Sequence, residues 1–372
     1  MSLRVAIVGC GKIADAHAEQ LRWLKGCEVV AACDREELMA RQLAERFGIP
    51  RTFDSVTQLL EEVEPDVVHV TTPPQSHFAI SQQCLEHGAH VYVEKPFTLD
   101  AREAEQLIAL ADRRRLRLTV GHDAQFGPAA RRMRSLVRQG YVGERVVHME
   151  SYYGYDLGDA RYASVFLAEN DHWVRKLPGG LLQNVISHGI ARIAEFLGGE
   201  HPRVIAHGFV SPLLMSLGGE DILDELRVIV ADEDGRTAYF TFSSQIRPLV
   251  QQFRVFGSRN GLLLDEQQQT VVKLRGRAFK SYVERFVPPV VYAGQYLENA
   301  ARNVGLFLGS DFHMEAGKRE LMAAFYRSIV DDTEPPIPAD EILRTATIMD
   351  AIFEQLRVGP EAARSRGERA SW

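Results

Sequence analysis

The sequence predicts an α/β Rossmann doubly wound parallel sheet, followed by an α+β domain with a large, mainly antiparallel open sheet. Three observations carry this expectation. The stretch Arg4-Val-Ala-Ile-Val-Gly-Cys-Gly-Lys-Ile-Ala14 joins an apolar, β-branched run (Val5 to Val8) to a glycine-rich turn and then a helical pattern. Strand-like and helix-like segments alternate from there to Gly121. Past Gly121 several strand candidates follow one another without helices between them. At 372 residues the chain exceeds one compact core of ordinary size, so we divide it into 1–121 and 122–372, with the last helices able to pack back on the first domain.

In order, the first strand leads into Gly9, Gly11 and Ala14 at the spacing G-x-G-x-x-A, and Ala14, Ala18 and Leu21 mark the helix after it. Such a turn suits a dinucleotide. The first glycine permits the tight turn, the second leaves room for a pyrophosphate, and the small third residue lets helix and strand pack closely. The phosphates would meet free N–H groups at the helix N-terminus. A second strand, Glu28 to Asp34, ends in an acid about 25 residues past Gly9, the position that binds the ribose diol of NAD. Arg35 beside it could hold the 2′-phosphate of NADP, so NAD is the expected cofactor with NADP kept open. Cofactor contacts are expected from Gly9, Gly11, Lys12, Ile13, Ala14, Asp34 and Arg35.

A helix over Glu36–Phe47 stops at Gly48 and Pro50. Thr52-Phe53 is a short strand, and a helix over Val56–Glu62 leads to the strand Asp66–Thr72. Pro73 and Pro74 end that strand, because neither can donate to the ladder. The loop from Thr72 to His77 then lies at the carboxyl edge of the sheet, where ligands of open α/β folds bind, and Thr72, Pro73 and His77 join the cofactor candidates. His77 could equally cap the helix Phe78–His87. The strand His90–Glu94, the helix Ala101–Arg114 and the strand Arg117–Gly121 complete the sheet.

The second domain is expected to contain a helix Pro128–Arg138, a strand Arg145–Tyr153 and a helix Leu181–Leu197. Strands follow at Val204–Val210, Leu226–Ala231, Thr237–Ser243, Gln252–Phe256, Gly261–Asp265 and Thr270–Leu274, with Asp232-Glu-Asp-Gly235 as a hairpin turn. Helices near Gln295–Phe307, Met314–Ile329 and Ala339–Leu356 close the chain.

Composition sets limits. A formal charge of −7 argues against a nucleic-acid surface, and no apolar run reaches the length of a membrane span. The N-terminus enters a core strand at once, leaving no room for a cleaved signal peptide. Cys10, Cys27, Cys33 and Cys84 have no CxxC spacing and suit reduced thiols in a cytoplasm. The histidines show no ligand spacing, so no metal is expected.

The order of Gly9-x-Gly11-x-x-Ala14, Asp34, Thr72-Pro-Pro, Glu94-Lys-Pro96 and Pro178-Gly-Gly…His188 resembles the glucose–fructose oxidoreductase/inositol dehydrogenase (Gfo/Idh/MocA) family over nearly the whole chain. The resemblance implies an NAD(P)-dependent oxidoreductase that moves hydride between nicotinamide and a secondary alcohol of a sugar, cyclitol or sugar derivative. It implies that Lys95 reaches the substrate hydroxyl beside the nicotinamide, where an ammonium would stabilise a developing alkoxide. Glu94 would help to shape the site, among the cofactor contacts. His188 would take the hydroxyl proton, as an imidazole near neutral pH can.

Where the family commonly carries aspartate this chain has Asn184, one helical turn before His188. An amide can orient a hydroxyl but cannot accept its proton. Asp123 and Gln125 stand where relatives often carry Asn-x-Arg-Phe, which suggests a changed substrate pocket. Tyr152, Tyr153, Tyr155, Asp171, His172 and Trp173 form a polar–aromatic group suited to a carbohydrate. Two other readings remain open at this point: an NAD-dependent glycosidase-type hydrolase working by transient oxidation, and a non-catalytic dinucleotide-binding regulator. Related proteins associate through the second-domain sheet, so a homodimer or homotetramer is expected.

Overall fold

The computed structural model describes residues 2–157, 172–219, 221–276, 279–280, 282–309, 312 and 315–365, with side chains to 356. Asp171 and Met314 lie outside the described residues. The chain forms two compact units, Met1–Gly127 with His313–Ala346, and Pro128–Phe312 with Thr347–Trp372. The first thus runs a few residues beyond Gly121 and takes in a late segment.

Unit 1 holds strands β1 (Leu3–Val8), β2 (Cys27–Cys33), β3 (Arg51–Phe53), β4 (Val67–Val70), β5 (His90–Val93) and β6 (Leu118–Val120). All pair in parallel, in the order β3-β2-β1-β4-β5-β6. Helices α1 (Lys12–Trp23), α2 (Glu37–Phe47), α3 (Val56–Val63), α4 (His77–Glu86) and α5 (Ala101–Arg114) alternate with the strands. Val5, Ala6, Ile7, Val67, Val68 and Val91 are completely buried, as a sheet covered on both faces requires. Strand order reverses between β1 and β4. A crevice opens there beyond the carboxyl ends of the strands; Gly9 and Asp34 directly follow such ends, and Thr72 and Lys95 stand two residues past them.

Unit 2 holds β7 (Val146–Gly154), β8 (Arg203–Phe209), β9 (Glu225–Ala231), β10 (Thr237–Ser243), β11 (Gln251–Gly257), β12 (Gly261–Asp265) and β13 (Thr270–Leu274). They form one sheet ordered β13-β12-β11-β7-β10-β9-β8. It is antiparallel except where β10 runs parallel to β7. Helices α6 (Pro128–Arg138), α7 (Gly180–Val185), α8 (Ser187–Ala194), α9 (Pro212–Ser216) and α10 (Val287–Leu308) accompany it. Two further helices, α11 (Ala316–Val330) and α12 (Ala339–Ser365), follow in sequence, α11 within unit 1.

Three expectations need correction. The single helix over Leu181–Leu197 is two, α7 and α8, joined at Ile186, whose φ of −82° and ψ of −15° bend the axis without leaving the helical region. Helix α10 begins eight residues before Gln295, because Pro288 and Pro289 occupy its first turn, where a missing N–H costs nothing. The last helix runs past Leu356 to Ser365. No described helix is long and apolar enough to cross a membrane.

Candidate active site

The turn after β1 is built for close approach. Gly9 sits at φ +94°, and a Cβ there would lie 2.6 Å from the Thr72 nitrogen, so no side chain fits. Thr71 Oγ1 donates to the Gly9 carbonyl at 2.6 Å and fixes the two loops together. At Gly11, the N-cap of α1, a Cβ would meet no atom within 4 Å, so the first turn of that helix faces open space. Lys12 and Ile13 are exposed beside it, and Ala14 is buried against the sheet. These features fit a pyrophosphate on the helix N-terminus.

Asp34 is half-buried at the end of β2. Its carboxylate accepts the N–H of Cys10 at 2.7 Å and that of Glu36 at 3.0 Å, which fixes a negative charge beside the glycine turn. Arg35 points to solvent. The four cysteines are free, and burial pushes the Cys10 and Cys33 thiols up to about 12, out of the reactive range.

His77 does not stand ready for a ligand. It is fully buried, with one ring nitrogen 2.9 Å from the Pro96 carbonyl oxygen and the other 2.8 Å from that of Thr72. It ties the Thr72 loop to the Lys95-Pro96 turn. Glu94 likewise faces inward: its carboxylate accepts from His17 Nε2 at 2.8 Å and from the Lys95 N–H at 3.1 Å, and Lys318 Nζ lies 3.6 Å away. Through the Lys95 N–H it holds the Lys95-Pro96 turn from the core side. Gln125 is also corrected. It is buried and donates to Glu341 at 2.7 Å, so it is occupied within the fold.

Behind Glu94 runs a buried polar chain that sequence reading missed. His17 Nδ1 lies 2.8 Å from His69 Nδ1, and His69 Nε2 lies 3.0 Å from the Tyr326 hydroxyl. Tyr92 stacks on His69 at 4.8 Å. With both rings neutral, one set of protons satisfies every link. An ionised carboxylate can only accept, so His17 donates through Nε2 and accepts at Nδ1. His69 then donates through Nδ1 and accepts the Tyr326 hydroxyl at Nε2. Both rings are neutral, in keeping with the lowering of both by burial. In the sequence His17 and His69 are lone histidines and Tyr326 is more than two hundred residues away; only their polarity on apolar faces hinted at a partner.

Lys318, on α11, is the second residue that was missed. It is 4% exposed yet charged, because Glu94, Asp123 and Glu315 carboxylates stand 3.6, 3.7 and 3.6 Å from it. Its proton is held above the usual lysine range by those charges, against the cost of burial. Asp123 lies on the turn after β6, and desolvation first, then Glu94 and Glu315, push it up to about 6 against the pull of Lys318. Lys95 is partly buried. Desolvation lowers it, Glu94 and Asp123 oppose that, and Lys318 adds to it.

The histidines of unit 1 make stability pH-dependent. Burial lowers His17, His69, His77, His90 and His122, the last to about 4. Their unfolded values lie near 6.5, so below that pH the unfolded chain binds more protons and stability falls as pH drops. Asp123, raised to about 6, and Glu103 and Glu266, also raised by burial, work in the opposite sense, three carboxyls against five histidines. The melting temperature is expected to fall between pH 7.5 and pH 5. A flat profile in thermal scans would contradict the neutral chain.

In unit 2, Pro178-Gly179-Gly180 leads into α7. A Cβ on Gly179 would strike the Phe353 ring at 2.4 Å, and Gly180 has φ +54°. Asn184 is 8% exposed on α7, and His188 is half-buried on α8, about one turn later across the bend. Gly189 seats α8 on the sheet: a Cβ would meet Phe240 at 2.4 Å, and Ser151 Oγ donates to its carbonyl at 3.1 Å. The His188 ring lies 6.3 Å from that of Tyr153, and the Arg192 guanidinium lies 5.6 Å from the same ring. Arg192 in turn is buried in an ion pair with Glu266. Tyr155 and Trp173 are each half-buried against the unit's core, and His172 accepts the Val174 N–H at 3.3 Å as an N-cap. Among the described residues no group of three or more His, Cys, Asp or Glu is placed to hold a metal ion.

Comparison with known proteins agrees with this arrangement. Residues 3–122 match the family model described as oxidoreductase family, NAD-binding Rossmann fold. Residues 130–263 match the GFO/IDH/MocA C-terminal domain. UDP-N-acetylglucosamine 3-dehydrogenase of Acidithiobacillus ferrooxidans is 34% identical over 132 residues, covering 36% of this chain and 41% of that protein. The first relatives of this kind are thus matched over about two-fifths of their length. Myo-inositol 2-dehydrogenase of Thermotoga maritima is 23% identical over 300 residues, covering 80% and 85% of the two chains. The NAD-binding oxidoreductase structure from Klebsiella pneumoniae superposes with a TM-score of 0.76 at 20% identity, covering 96% and 97%, and shares the fold. With consecutive matches to both of its domains, the chain belongs to the GFO/IDH/MocA oxidoreductase family.

Proposed function

We propose that the protein is an NAD-dependent dehydrogenase acting on a secondary alcohol of a sugar, cyclitol or sugar derivative. The observation that carries this reading is the carboxyl edge of the first sheet. There stand the side-chain-free Gly9 turn, the fixed Asp34 carboxylate and Lys95, whose backbone N–H donates to Glu94. Named relatives support the substrate class, since they include dehydrogenases of UDP-N-acetylglucosamine, D-glucoside and myo-inositol.

Bound at this edge, NAD supplies the hydride acceptor. The chain's own groups do the rest. The Asp34 carboxylate accepts from ribose hydroxyls and repels a 2′-phosphate, which favours NAD over NADP. The Lys95 ammonium stabilises negative charge on the substrate oxygen as the O–H is lost. His188 receives that proton, and the Asn184 amide orients a neighbouring hydroxyl. Assignment of Lys95 and His188 to one reaction follows the family's motifs. Asp123, Tyr155, His172 and Trp173 are proposed for substrate contacts on the same basis.

The test is an NAD-linked screen of polyols, aldoses and nucleotide sugars, followed by stoichiometry. One NADH formed per substrate consumed is expected. Turnover without net NADH, or NADH binding with no turnover on any substrate, would reject a dehydrogenase. Association of copies through the second sheet belongs to the same reading, supported by Ile205 at 66% and Tyr239 at 51% exposure on its strands.

A further inference from the structure

Helix α10 is turned inside out. Its polar side chains face the protein: Gln295 and Asn299, one turn apart, pair through their amides with both the N–H and the C=O of Lys273 and Val271 on the edge strand β13. They seal an edge that would otherwise offer free backbone groups. Its apolar side chains face outward, with Leu297 73%, Val290 71%, Val304 58% and Leu308 77% exposed, and Phe286, just before the helix, 71%. Within α10 the only charged residues are Glu298 and Arg302, which bond to each other at 3.3 Å.

We propose that this face pairs with the same helix of a second copy of the chain, antiparallel, about a two-fold axis at Leu297. Two observations select that occupant. The first is size. Leu297, Val290, Val304 and Leu308, with Phe286 just before the helix, stand 58–77% exposed along it, a run of five large apolar side chains in place of the scattered single ones usual on a surface. The second is symmetry in the sequence. Counting outward from Leu297, Gly294 matches Ala300, Ala293 matches Ala301, Val290 matches Val304 and Phe286 matches Leu308.

At 100° per residue these nine positions fall in one stripe about 120° wide, opposite Gln295 and Asn299. An antiparallel partner brings each residue against its counterpart, large against large. The small pairs on either side of Leu297 let the two backbones approach closely. A lipid surface has no use for such a match, and it would favour lysine and arginine along the flanks of the helix.

Light scattering and sedimentation equilibrium on the full chain decide the matter. Leu297→Glu is expected to halve the assembly mass, or to raise the dissociation constant at least about 30-fold, with an unchanged melting temperature. Tyr239→Glu on the open sheet should leave the helix pairing intact, which separates this interface from association through the sheet. In a Cys27→Ser background, where the remaining cysteines are buried, Leu297→Cys should couple to itself with a short bismaleimide. Val290→Cys should couple only when mixed with Val304→Cys. A mass independent of residue 297, or self-coupling by Val290→Cys, would overturn the proposal. So would loss, on Leu297→Glu, of binding to phosphatidylserine vesicles with no change of mass in solution, since the helix would then face lipid.

Discussion

Replacing His188 by alanine is expected to lower kcat for alcohol oxidation by about 10²–10⁴-fold while leaving NADH affinity within about threefold. The physical case is local. His188 projects from a helix held elsewhere: Gly189 is pressed on Phe240, and Arg192, one turn later, is anchored by Glu266. Truncating the ring removes a proton acceptor without loosening that anchor. The cofactor-binding turn belongs to the other unit and is left unaltered. Titration by NADH fluorescence with steady-state kinetics separates the two quantities. Asn184→Asp is the informative companion, because it restores a carboxylate one turn away. If that variant rescues turnover in His188→Ala, proton transfer can pass through position 184. Unchanged turnover in His188→Ala itself would remove the histidine from the reaction.

Lys95→Met is the second large effect, with kcat/KM expected to fall about 10²–10³-fold, the range for loss of one group that stabilises an oxyanion. Here the structure adds a test that a merely structural lysine would fail. Lys95 has to be protonated to act, so activity must fall on the alkaline side as pH rises through its lowered value. Lys318 contributes to that lowering, and it also occupies Glu94 and Asp123. Lys318→Met is therefore expected to move the alkaline limb to higher pH, because Lys95 loses a like charge and gains two carboxylates. A limb that stays in place would show that another group titrates.

Neither effect could have been placed fully from the sequence, although the residues themselves were legible. The places of Gly9, Asp34 and Lys95 just past strand ends could be read because local rules govern them: a strand run, a tight turn, an acid at a strand end, a proline stop. His188 and Asn184 were legible as a pair one turn apart, but the bend at Ile186 between them was not, since both helical segments carry continuous helical patterns. Pro288-Pro289 reads equally well as a breaker or as a first turn, and only the helix that follows decides. His77 and Gln125 turned inward where the sequence pointed them at a ligand, and Glu94 shapes the site from the core side, for one reason. A polar side chain near a strand end looks the same in sequence whether it faces the crevice or the core.

What the sequence determined by itself was the alternation of strands and helices, the phosphate-binding turn and the chemical types at the site, because each depends on neighbours within a few residues. What only the tertiary structure decided was how charge and protons are held. Glu94 is stabilised by a lysine and a histidine far from it in the chain, the tautomers of His17 and His69 follow from that carboxylate and end on a tyrosine of α11, and α10 turns its apolar side outward because its amides are needed on β13. Burial and partner choice are properties of long-range contacts, and no local spacing encodes them.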